Sequence, residues 1–180
     1  MFTYRINNEA YMKLLDMNDA LPLFNLIKRS KNLHQWLPWV EGTKEVTDTQ
    51  QFIRIAMKQY ADNNGFQASI WYRGQIAGLI GFHQINWNNR ATSIGYWLGE
   101  EFEGLGLMTQ ACNAMIQYAF RDLHLNRIEI RAAVQNYKSQ AIPQRLGFTK
   151  EGCIRQFEWL HDHYSDAFVY SLLAEEWATR

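Results

Sequence analysis

The sequence predicts an α+β fold in which a mixed, mostly antiparallel sheet of seven strands is flanked by helices. Three observations lead to this class. The chain has 180 residues, 47% hydrophobic and 14% aromatic, which suits the packed core of one domain over residues 1–180. Apolar residues alternate with a period of two in some segments and recur every three or four residues in others. Runs of antiparallel strands lie between the helical segments, an order typical of an α+β sheet.

The first third of the chain predicts one strand and two helices. Residues 11–15 form the strand, and Asp16 or Asn18 can cap the helix that follows it. Thr47 and Gln50 have the spacing of a capping box at the start of a second helix. Behind that box the apolar residues keep helical spacing, at Phe52, Ile53, Ala56, Met57 and Tyr60.

The remainder of the chain predicts six further strands, separated by two helices. The strands lie at residues 66–72, 75–85, 91–98, 127–134, 149–158 and 164–173. Arg73 and Gly74 join the first two as a hairpin, and Gly147 suits the end of a short helix over 139–146. The longer helix has an apolar face made of Met108, Cys112, Met115, Ala119 and Leu123.

Charge and cysteine content exclude several classes of protein. Lys and Arg number 18, as do Asp and Glu, which argues against a protein that grips nucleic acid or an anionic membrane through a basic surface. Cys112 and Cys153 form no Cys-x-x-Cys pair, so neither a disulfide scaffold nor a metal site is expected. The first residues lack the apolar stretch that a signal peptide would show, and no apolar run approaches the roughly 18 residues of a membrane span. We expect a soluble, cytoplasmic protein.

A glycine-containing loop between the strand at 91–98 and the long helix is the candidate anion site. It reads Gly-Glu-Glu-Phe-Glu-Gly-Leu-Gly-Leu over residues 99–107. Gly104 and Gly106 permit left-handed backbone conformations, which let N–H groups face a phosphate at the positive end of the helix dipole. Neither the Gly-Lys-Ser/Thr of a P-loop nor the third glycine of a Rossmann fold follows.

A second cluster of polar and glycine residues follows the strand at 127–134. Asn136 comes just after that strand and can serve as a turn residue or reach a ligand through its amide. Ser139 can cap the short helix. Leu146, Gly147 and Phe148 come next, followed by Glu151 and Gly152.

Together these segments resemble the GNAT superfamily of acetyltransferases, and within it the branch that acetylates ribosomal proteins at an N-terminal serine or alanine. The resemblance covers nearly the whole chain, and its specificity comes from the order of the segments rather than from any single one. They are Trp36-Leu37-Pro38-Trp39, Ile94-Gly95-Tyr96-Trp97-Leu98-Gly99, Gly104-Leu105-Gly106-Leu107-Met108-Thr109, Asn136-Tyr137-Lys138-Ser139 and Leu146-Gly147-Phe148-Thr149-Lys150-Glu151-Gly152.

The resemblance implies that acetyl-CoA is the co-substrate, that no metal takes part, and that particular positions bind the cofactor. Trp97, Leu98 and Gly99, on a strand splayed from its neighbour, would bind pantetheine through their backbone. Asn136 and Ser139 would contact the cofactor near its thioester. The pyrophosphate would be wrapped by backbone amides of Glu103, Gly104, Leu105, Gly106, Leu107, Met108 and Thr109.

One position departs from the family pattern. The phosphate loop often reads Gln/Arg-x-x-Gly-x-Gly, and here Glu101 occupies the Gln/Arg position. With Glu100 and Glu103 it places three negative charges near a site for an anion, which weakens binding unless those side chains point into solvent. Backbone N–H groups, rather than side-chain charge, are therefore expected to hold the pyrophosphate.

Acetyl transfer by direct attack needs a base for the amine, donors for the oxyanion and stabilisation of the departing thiolate. A backbone N–H near Leu98 could meet the oxyanion. The resemblance points to Glu158 as the base, and flanking aromatic residues can raise its pKa. Ser139 is the candidate proton donor, although many family members use a tyrosine, for which Tyr137 is the alternative. His83 could also be a base, but a strand histidine is more often packed or solvated.

The acceptor is expected to be a protein N-terminal α-amine. The reference pKa of such an amine, about 7.7–8.0, leaves a fraction of it neutral near pH 7. Trp36 and Trp39 either line the acceptor groove, as the resemblance implies, or are core aromatics beside a proline turn. The alternatives are a small amine, such as a polyamine, amino acid or antibiotic, and a sensor that binds acyl-CoA without turnover. A homodimer is common in the family, and the sequence leaves the oligomeric state open.

Overall fold

A computed structural model of the chain describes residues 3–179, within which eight strands form one sheet. The strands are β1 (Thr3–Arg5), β2 (Ala10–Leu14), β3 (Phe66–Tyr72), β4 (Gln75–Asn86), β5 (Ala91–Leu98), β6 (Arg127–Ala133), β7 (Thr149–Leu160) and β8 (His163–Leu173). They lie in the order β1-β2-β3-β4-β5-β6-β8-β7. Every neighbouring pair is antiparallel except β5 and β6, which are parallel.

Six α-helices of the described residues cover the sheet. They are α1 (Ala20–Arg29), α2 (Lys31–Trp36), α3 (Val46–Ala61), α4 (Leu107–Gln117), α5 (Tyr137–Arg145) and α6 (Ala174–Ala178). Helices α1 and α3 pack on β4 and β3, whereas α4 packs on β4 and β5 and α5 packs on β6. Residues 76–82 of β4 are all buried because helices cover both faces of that strand. No helix in this part of the chain combines the length and apolar composition that crossing a bilayer requires.

The sheet confirms the predicted α+β class and has one strand more than the seven expected. Strands β3 and β5 have the predicted bounds, 66–72 and 91–98. The additional strand is β1, which pairs Thr3 with Lys13 and Arg5 with Tyr11 at the edge of the sheet. All three residues of β1 are exposed, so no alternation of apolar and polar residues marks this strand in the sequence.

The predicted capping box at Thr47 and Gln50 is wrong, because α3 begins at an earlier cap. Glu45 is the N-cap, and Asp48 lies at the third helical position. The Asp48 carboxylate accepts the backbone N–H groups of Lys44 at 2.8 Å and of Glu45 at 2.9 Å. The capping box is therefore formed by an acidic pair, Glu45 and Asp48, two residues before the expected Thr and Gln pair.

The apolar face predicted for α3 is narrower than its spacing suggests. Ile53 and Ala56 are buried against the sheet. Phe52, Met57 and Tyr60 are exposed, since α3 lies on the outside of the fold and presents only one edge to the core. On α4 the predicted face is buried at Met108, Cys112, Met115 and Ala119, the last of which lies in a π-helical turn.

A buried ion pair fixes the start of α1 to the sheet. Asp16 caps the 3-10 turn Met17–Asp19 that leads into α1, its Oδ1 accepting the N–H of residue 18 at 2.8 Å, whereas the N-cap of α1 itself is Asp19, without a side-chain capping bond. Lys13 Nζ lies 2.7 Å from Asp19 Oδ1 and 2.8 Å from Asp16 Oδ2. Asp19 is 1% exposed, and its Oδ2 also accepts the Ser69 hydroxyl at 3.0 Å. This buried carboxylate thus links β2, the approach to α1 and β3.

We expect Asp19→Asn to lower the free energy of unfolding by about 3 kcal/mol, because it leaves the half-buried Lys13 ammonium without its buried counter-charge. The midpoint of thermal unfolding should fall by roughly 6–12 °C. The matched control is Asp62→Asn, which breaks the exposed Lys58–Asp62 pair and should cost less than about 1 kcal/mol. Urea unfolding of both variants measures the difference, and equal losses would contradict the structural role assigned to Asp19.

Candidate functional site

The parallel strands β5 and β6 separate part-way along their length. They pair only from Ala91 to Ser93 on β5, against Arg127 to Glu129 on β6. Beyond Ser93, β5 continues to Leu98 beside β4 alone. The structure therefore confirms the predicted splay at Trp97–Gly99, and a gap opens between β5 and β6 at their carboxyl ends.

The backbone of Leu98 faces this gap. Gly99 donates its N–H to the Ala77 carbonyl at 2.9 Å, on the side of β4. Hydrogen bonding alternates along an antiparallel pair, so the N–H and C=O of Leu98 point to the other side, away from β4. The Leu98 carbonyl accepts the side-chain amide of Asn32 at 3.1 Å, consistent with that direction. The Leu98 N–H is thus a fixed donor at the mouth of the gap.

The glycine loop lies directly after β5 and has the predicted left-handed geometry. Gly104 and Gly106 adopt φ of 77° and 73°, and Gly106 is the N-cap of α4. Leu107 and Met108 bury their side chains in the core, so these positions offer only their backbone N–H groups to a ligand. An exposed Leu105 completes the loop. The N-terminal turn of α4 therefore presents backbone donors and the positive end of the helix dipole.

Two of the three loop glutamates are neutralised by cations. Glu101 pairs with Arg29 Nη2 on α1 at 2.5 Å. Glu103 forms an ion pair with Lys138 on α5 and accepts the Asn32 amide at 2.6 Å. The repulsion expected from the sequence is therefore partly cancelled by ion pairs rather than by side chains that point into solvent.

Arg145, which the sequence analysis did not single out, adds a cation to the loop. Its Nη1 donates to Thr109 Oγ1 at 2.8 Å, in the first turn of α4. Arg145 is exposed at the end of α5, so its guanidinium can also face an anion held by the loop. It lies 36 residues from Thr109 in sequence, and no spacing rule connects two such positions.

Asn136 and Ser139 lie where α5 begins, on the other side of the gap. Asn136 Oδ1 accepts the Ser139 N–H at 3.0 Å, so Asn136, and not Ser139, caps the helix. Tyr96 on β5 reaches across and donates its hydroxyl to the Ser139 carbonyl at 2.9 Å. The Ser139 hydroxyl lies 3.4 Å from the same Tyr96 oxygen. Burial raises the pKa of Tyr96, which therefore stays protonated as a donor. Tyr137 is 76% exposed, outside this arrangement.

Glu158 lies at the same end of the sheet as the gap, because β8 is antiparallel to β6 and pairs Glu158 through Ser165. Just before it, β7 contains a bulge in which residues 155–157 face Asp166 alone. Gln156 adopts φ of 52°, and its N–H donates to Asp166 Oδ1 at 2.7 Å. Glu158 is accessible to solvent, yet nearby protein removes part of its hydration and raises its pKa.

The turn between β7 and β8 contacts the segment around α2. His161 Nε2 donates to the His34 carbonyl, and its Nδ1 lies 3.0 Å from Glu41 Oε1. Both ring nitrogens face acceptors that stabilise the protonated imidazole, and this raises the pKa of His161. The His34 carbonyl makes the largest single contribution, and the Glu41 carboxylate adds to it. Asn32 of α2 also bonds Leu98. Helix α2 therefore connects the β7–β8 turn to the end of β5 on one side of the gap.

The two tryptophans of the predicted acceptor segment differ in position. Trp39 is 43% exposed, and its ring centroid lies 6.0 Å from that of Trp97 on β5. It therefore stands beside the predicted pantetheine strand. Trp36, the last residue of α2, is half-buried.

The other reactive side chains that the sequence suggests are His83, Cys112 and Cys153, and of these His83 lies against Gly95 of β5. His83 Nδ1 lies 3.1 Å from Ser93 Oγ, and burial, with the charge of Arg131, lowers its pKa. Cys112 is buried in the core, which raises the pKa of its thiol. Cys153 is exposed on β7. Within residues 3–179 no three His, Cys, Asp or Glu side chains are grouped closely enough to hold a metal ion.

Comparisons with known proteins agree with this geometry. A family model described as an acetyltransferase (GNAT) domain matches residues 11–149. The chain is 41% identical to the "Putative ribosomal N-acetyltransferase YdaF" of Bacillus subtilis (strain 168), with 98% of each protein covered. It is 29% identical to the ribosomal-protein-serine acetyltransferase of Escherichia coli (strain K12), over 96% of this chain and 97% of that protein. A solved structure of RimL, a ribosomal L7/L12 alpha-N-protein acetyltransferase in complex with coenzyme A, matches with a TM-score of 0.92 and 27% identity, over 97% of this chain and 99% of that one.

We expect Tyr96→Phe to destabilise the protein by about 1 kcal/mol, since it removes the bond that joins β5 to the Ser139 carbonyl across the gap. The midpoint of thermal unfolding should fall by about 2–4 °C. The control is Tyr137→Phe at an exposed position of α5, which should leave the midpoint unchanged. An unchanged midpoint in both variants would show that Tyr96 does not hold the two sides of the gap together.

Proposed function

The chain belongs to the GNAT family of acetyltransferases, and from that premise we propose that it moves an acetyl group from acetyl-CoA to the α-amine at a protein N-terminus, of the ribosomal-protein type. The observation that carries the proposal is the gap between β5 and β6, which lies beside a left-handed glycine loop at the start of α4. An extended ligand with an anionic end fits this pairing of an open strand edge and a helix N-terminus.

The residues around the gap fit such a co-substrate. Of the three residues expected to bind pantetheine, Leu98 directs its backbone N–H at the gap, whereas Trp97 and Gly99 direct their backbone groups at β4. The pyrophosphate would be held by backbone amides from Glu103 to Thr109, with Arg145 beside them. Acetyl-CoA supplies an acyl group activated as a thioester.

Three groups of this chain have separate tasks in the transfer. The Leu98 N–H, which is directed at the gap, donates a hydrogen bond to the acetyl oxygen and stabilises the negative charge that develops there. Glu158 takes a proton from the attacking amine, and its raised pKa brings it closer to the operating pH. Ser139 stabilises or protonates the departing thiolate from the first turn of α5. Asn136 and Tyr96 hold Ser139 in place through its backbone N–H and carbonyl.

A protein N-terminus is the acceptor that we favour. Two of the matched relatives are named for acetylation of ribosomal proteins. Trp39 and Trp36 flank the approach from α2, where apolar side chains of the first acceptor residues can pack. A ribosomal acceptor places the reaction in the cytoplasm.

Incubation of the purified protein with acetyl-CoA and a panel of amines tests the proposal, with release of CoA thiol as the measurement. Short peptides that begin with Ser or Ala should be acetylated with a higher kcat/KM than polyamines, free amino acids or aminoglycosides. Reaction with small amines alone would overturn the assignment of a protein acceptor. Binding of acetyl-CoA without turnover of any amine would instead identify a sensor.

We expect Glu158→Gln to lower kcat by about 10²–10⁴-fold, the usual contribution of a general base, with little change in the Kd for acetyl-CoA. In the unmodified protein the rate should fall as pH falls through the pKa of Glu158, because protonation removes the base. That pKa lies above the ordinary value of a glutamate, so the acid limb should also lie above it. The acid limb should be absent in the variant.

Two further variants complete this test. Ser139→Ala should also lower kcat while acetyl-CoA still binds. Glu175→Gln, at an exposed position of α6, is the control and should behave as the unmodified protein. Unchanged turnover in both Glu158→Gln and Ser139→Ala would place the chemistry on other residues.

A further inference from the structure

The strand registers place Arg131 on a defined face of the sheet, at the start of the gap. Ser93 and Glu129 form the last pair of β5 and β6, and paired residues of neighbouring strands point to the same face. Arg131 lies two residues further along β6 and points to that face as well. His83 of β4 also lies on it, since its Nδ1 is 3.1 Å from Ser93 Oγ. Arg131 is therefore the first side chain of this face beyond the paired part of β6.

Glu158, the proposed base, lies on the same face. Ala133 follows Arg131 by two residues and pairs with Ala167 of β8. Ser165, two residues before Ala167, pairs with Glu158 of β7. Because every step of two residues along a strand keeps the side chains on one face, Arg131 and Glu158 share it.

This face is the acceptor side of the gap. Tyr96 points to the opposite face, where its hydroxyl bonds Ser139 at the start of α5. Helix α4, which begins at the glycine loop, packs against α5, so the expected cofactor contacts lie on that opposite face. Trp97 points to the face of the base and contacts Trp39 of the predicted acceptor segment. An amine that reaches the proposed base therefore approaches across the face that carries Arg131.

The guanidinium of Arg131 has N–H groups available for a ligand. Its Nη2 donates to Glu129 Oε2 at 2.9 Å, and its other nitrogens donate to no group within residues 3–179. Glu129 is shared with Arg127, which also holds Glu151 through two nitrogens. The side chain of Arg131 is 42% exposed. Since a guanidinium has five N–H donors, most of those of Arg131 are open to the acceptor side.

Phe157 directs this guanidinium toward the proposed base. The Arg131 Cζ lies 5.5 Å from the centroid of the Phe157 ring. Phe157 belongs to the bulge of β7 and directly precedes Glu158. The side chain of Arg131 therefore extends along the face from β6 to the residue beside the base. An extended acceptor advances about 3.4 Å per residue, so the residues that follow its amine come within reach of the guanidinium.

We propose that Arg131 binds a carboxylate on the second or third residue of the acceptor, and so selects N-termini that carry an acidic side chain there. The inference rests on the proposed acetyl transfer to a protein N-terminus. A guanidinium holds a carboxylate through two parallel N–H groups, which neither an amide nor a hydroxyl side chain can match. Arg131 is a specificity-determining residue that binds the substrate away from the reacting atoms.

The experiment compares peptides that begin with Ser and differ in one residue, Asp or Asn, at position 2 and, in a second pair, at position 3. Asp and Asn have nearly the same size and differ in charge. For at least one position the KM of the Asp peptide should be about tenfold lower, the effect of a partly exposed charge-assisted hydrogen bond. Added salt should reduce this ratio, because an exposed ion pair is screened.

Three variants attribute the preference to Arg131. Arg131→Gln should raise the KM of the preferred Asp peptide about tenfold, to that of its Asn counterpart, with an unchanged Kd for acetyl-CoA. Arg131→Lys keeps the charge without the planar donors and should retain part of the preference. Arg121→Gln is the matched control, since the Arg121 guanidinium also lies over an aromatic ring, that of Trp177 at 4.9 Å, beyond the far end of α4. It should change neither constant.

Other results would overturn the assignment. Equal KM values for the Asp and Asn peptides in the unmodified protein would show that no carboxylate is selected. An equal loss of kcat/KM for both peptides in Arg131→Gln would show that Arg131 only supports the bulge of β7. Circular dichroism melts show whether each variant is folded, and Arg131→Lys supplies the ratio if Arg131→Gln is not.

Failure of the proposed acetyl transfer is seen separately, because the unmodified protein would then acetylate none of these peptides. Calorimetry of peptide binding in the presence of CoA tests Arg131 in that case as well. A lower Kd for the Asp peptide that is lost in Arg131→Gln would support the assignment, and equal Kd values would contradict it.

Discussion

Strands β5 and β6 pair over only three residues each and then separate, and the candidate site is built around that separation. Two parallel strands that stop pairing leave backbone N–H and C=O groups without strand partners, and buried groups of this kind need other partners. The pairing ends at Ser93, and Leu98 is left facing the gap. A ligand that is itself extended and rich in amides can complete such an edge.

Several hydrogen bonds join the elements that surround the gap. The Tyr96 hydroxyl joins β5 to the start of α5 by donating to the Ser139 carbonyl. Asn136 caps the same helix by accepting the Ser139 N–H. On the opposite side, Asn32 joins α2 to β5, and His161 joins the β7–β8 turn to α2. Since these contacts come from four different parts of the chain, the site depends on the whole fold rather than on one loop.

Sequence patterns predicted the parts of this arrangement that depend on local periodicity and turn chemistry. The bounds of β3 and β5 and the left-handed glycines of the loop follow from rules that act over a few residues. Strand β1 and the N-cap of α3 were not predicted. An exposed strand of three residues and an acidic N-cap leave no clear pattern in the sequence. Asn32 meets Leu98 across 66 residues, and only the tertiary structure reveals such a pair.

The loop glycines have a consequence for how affinity for the ligand can change. A Cβ at Gly104 would meet no atom within 4 Å, so space does not limit which side chain fits there. The φ of 77° instead disfavours amino acids of L chirality. A D-amino acid would fit there without strain, whereas an L-amino acid costs about 1–2 kcal/mol of backbone energy and causes no clash. Substitutions at this position therefore weaken the loop in small steps without unfolding the protein. Evolution can adjust the hold on a cofactor by such steps while the core stays the same.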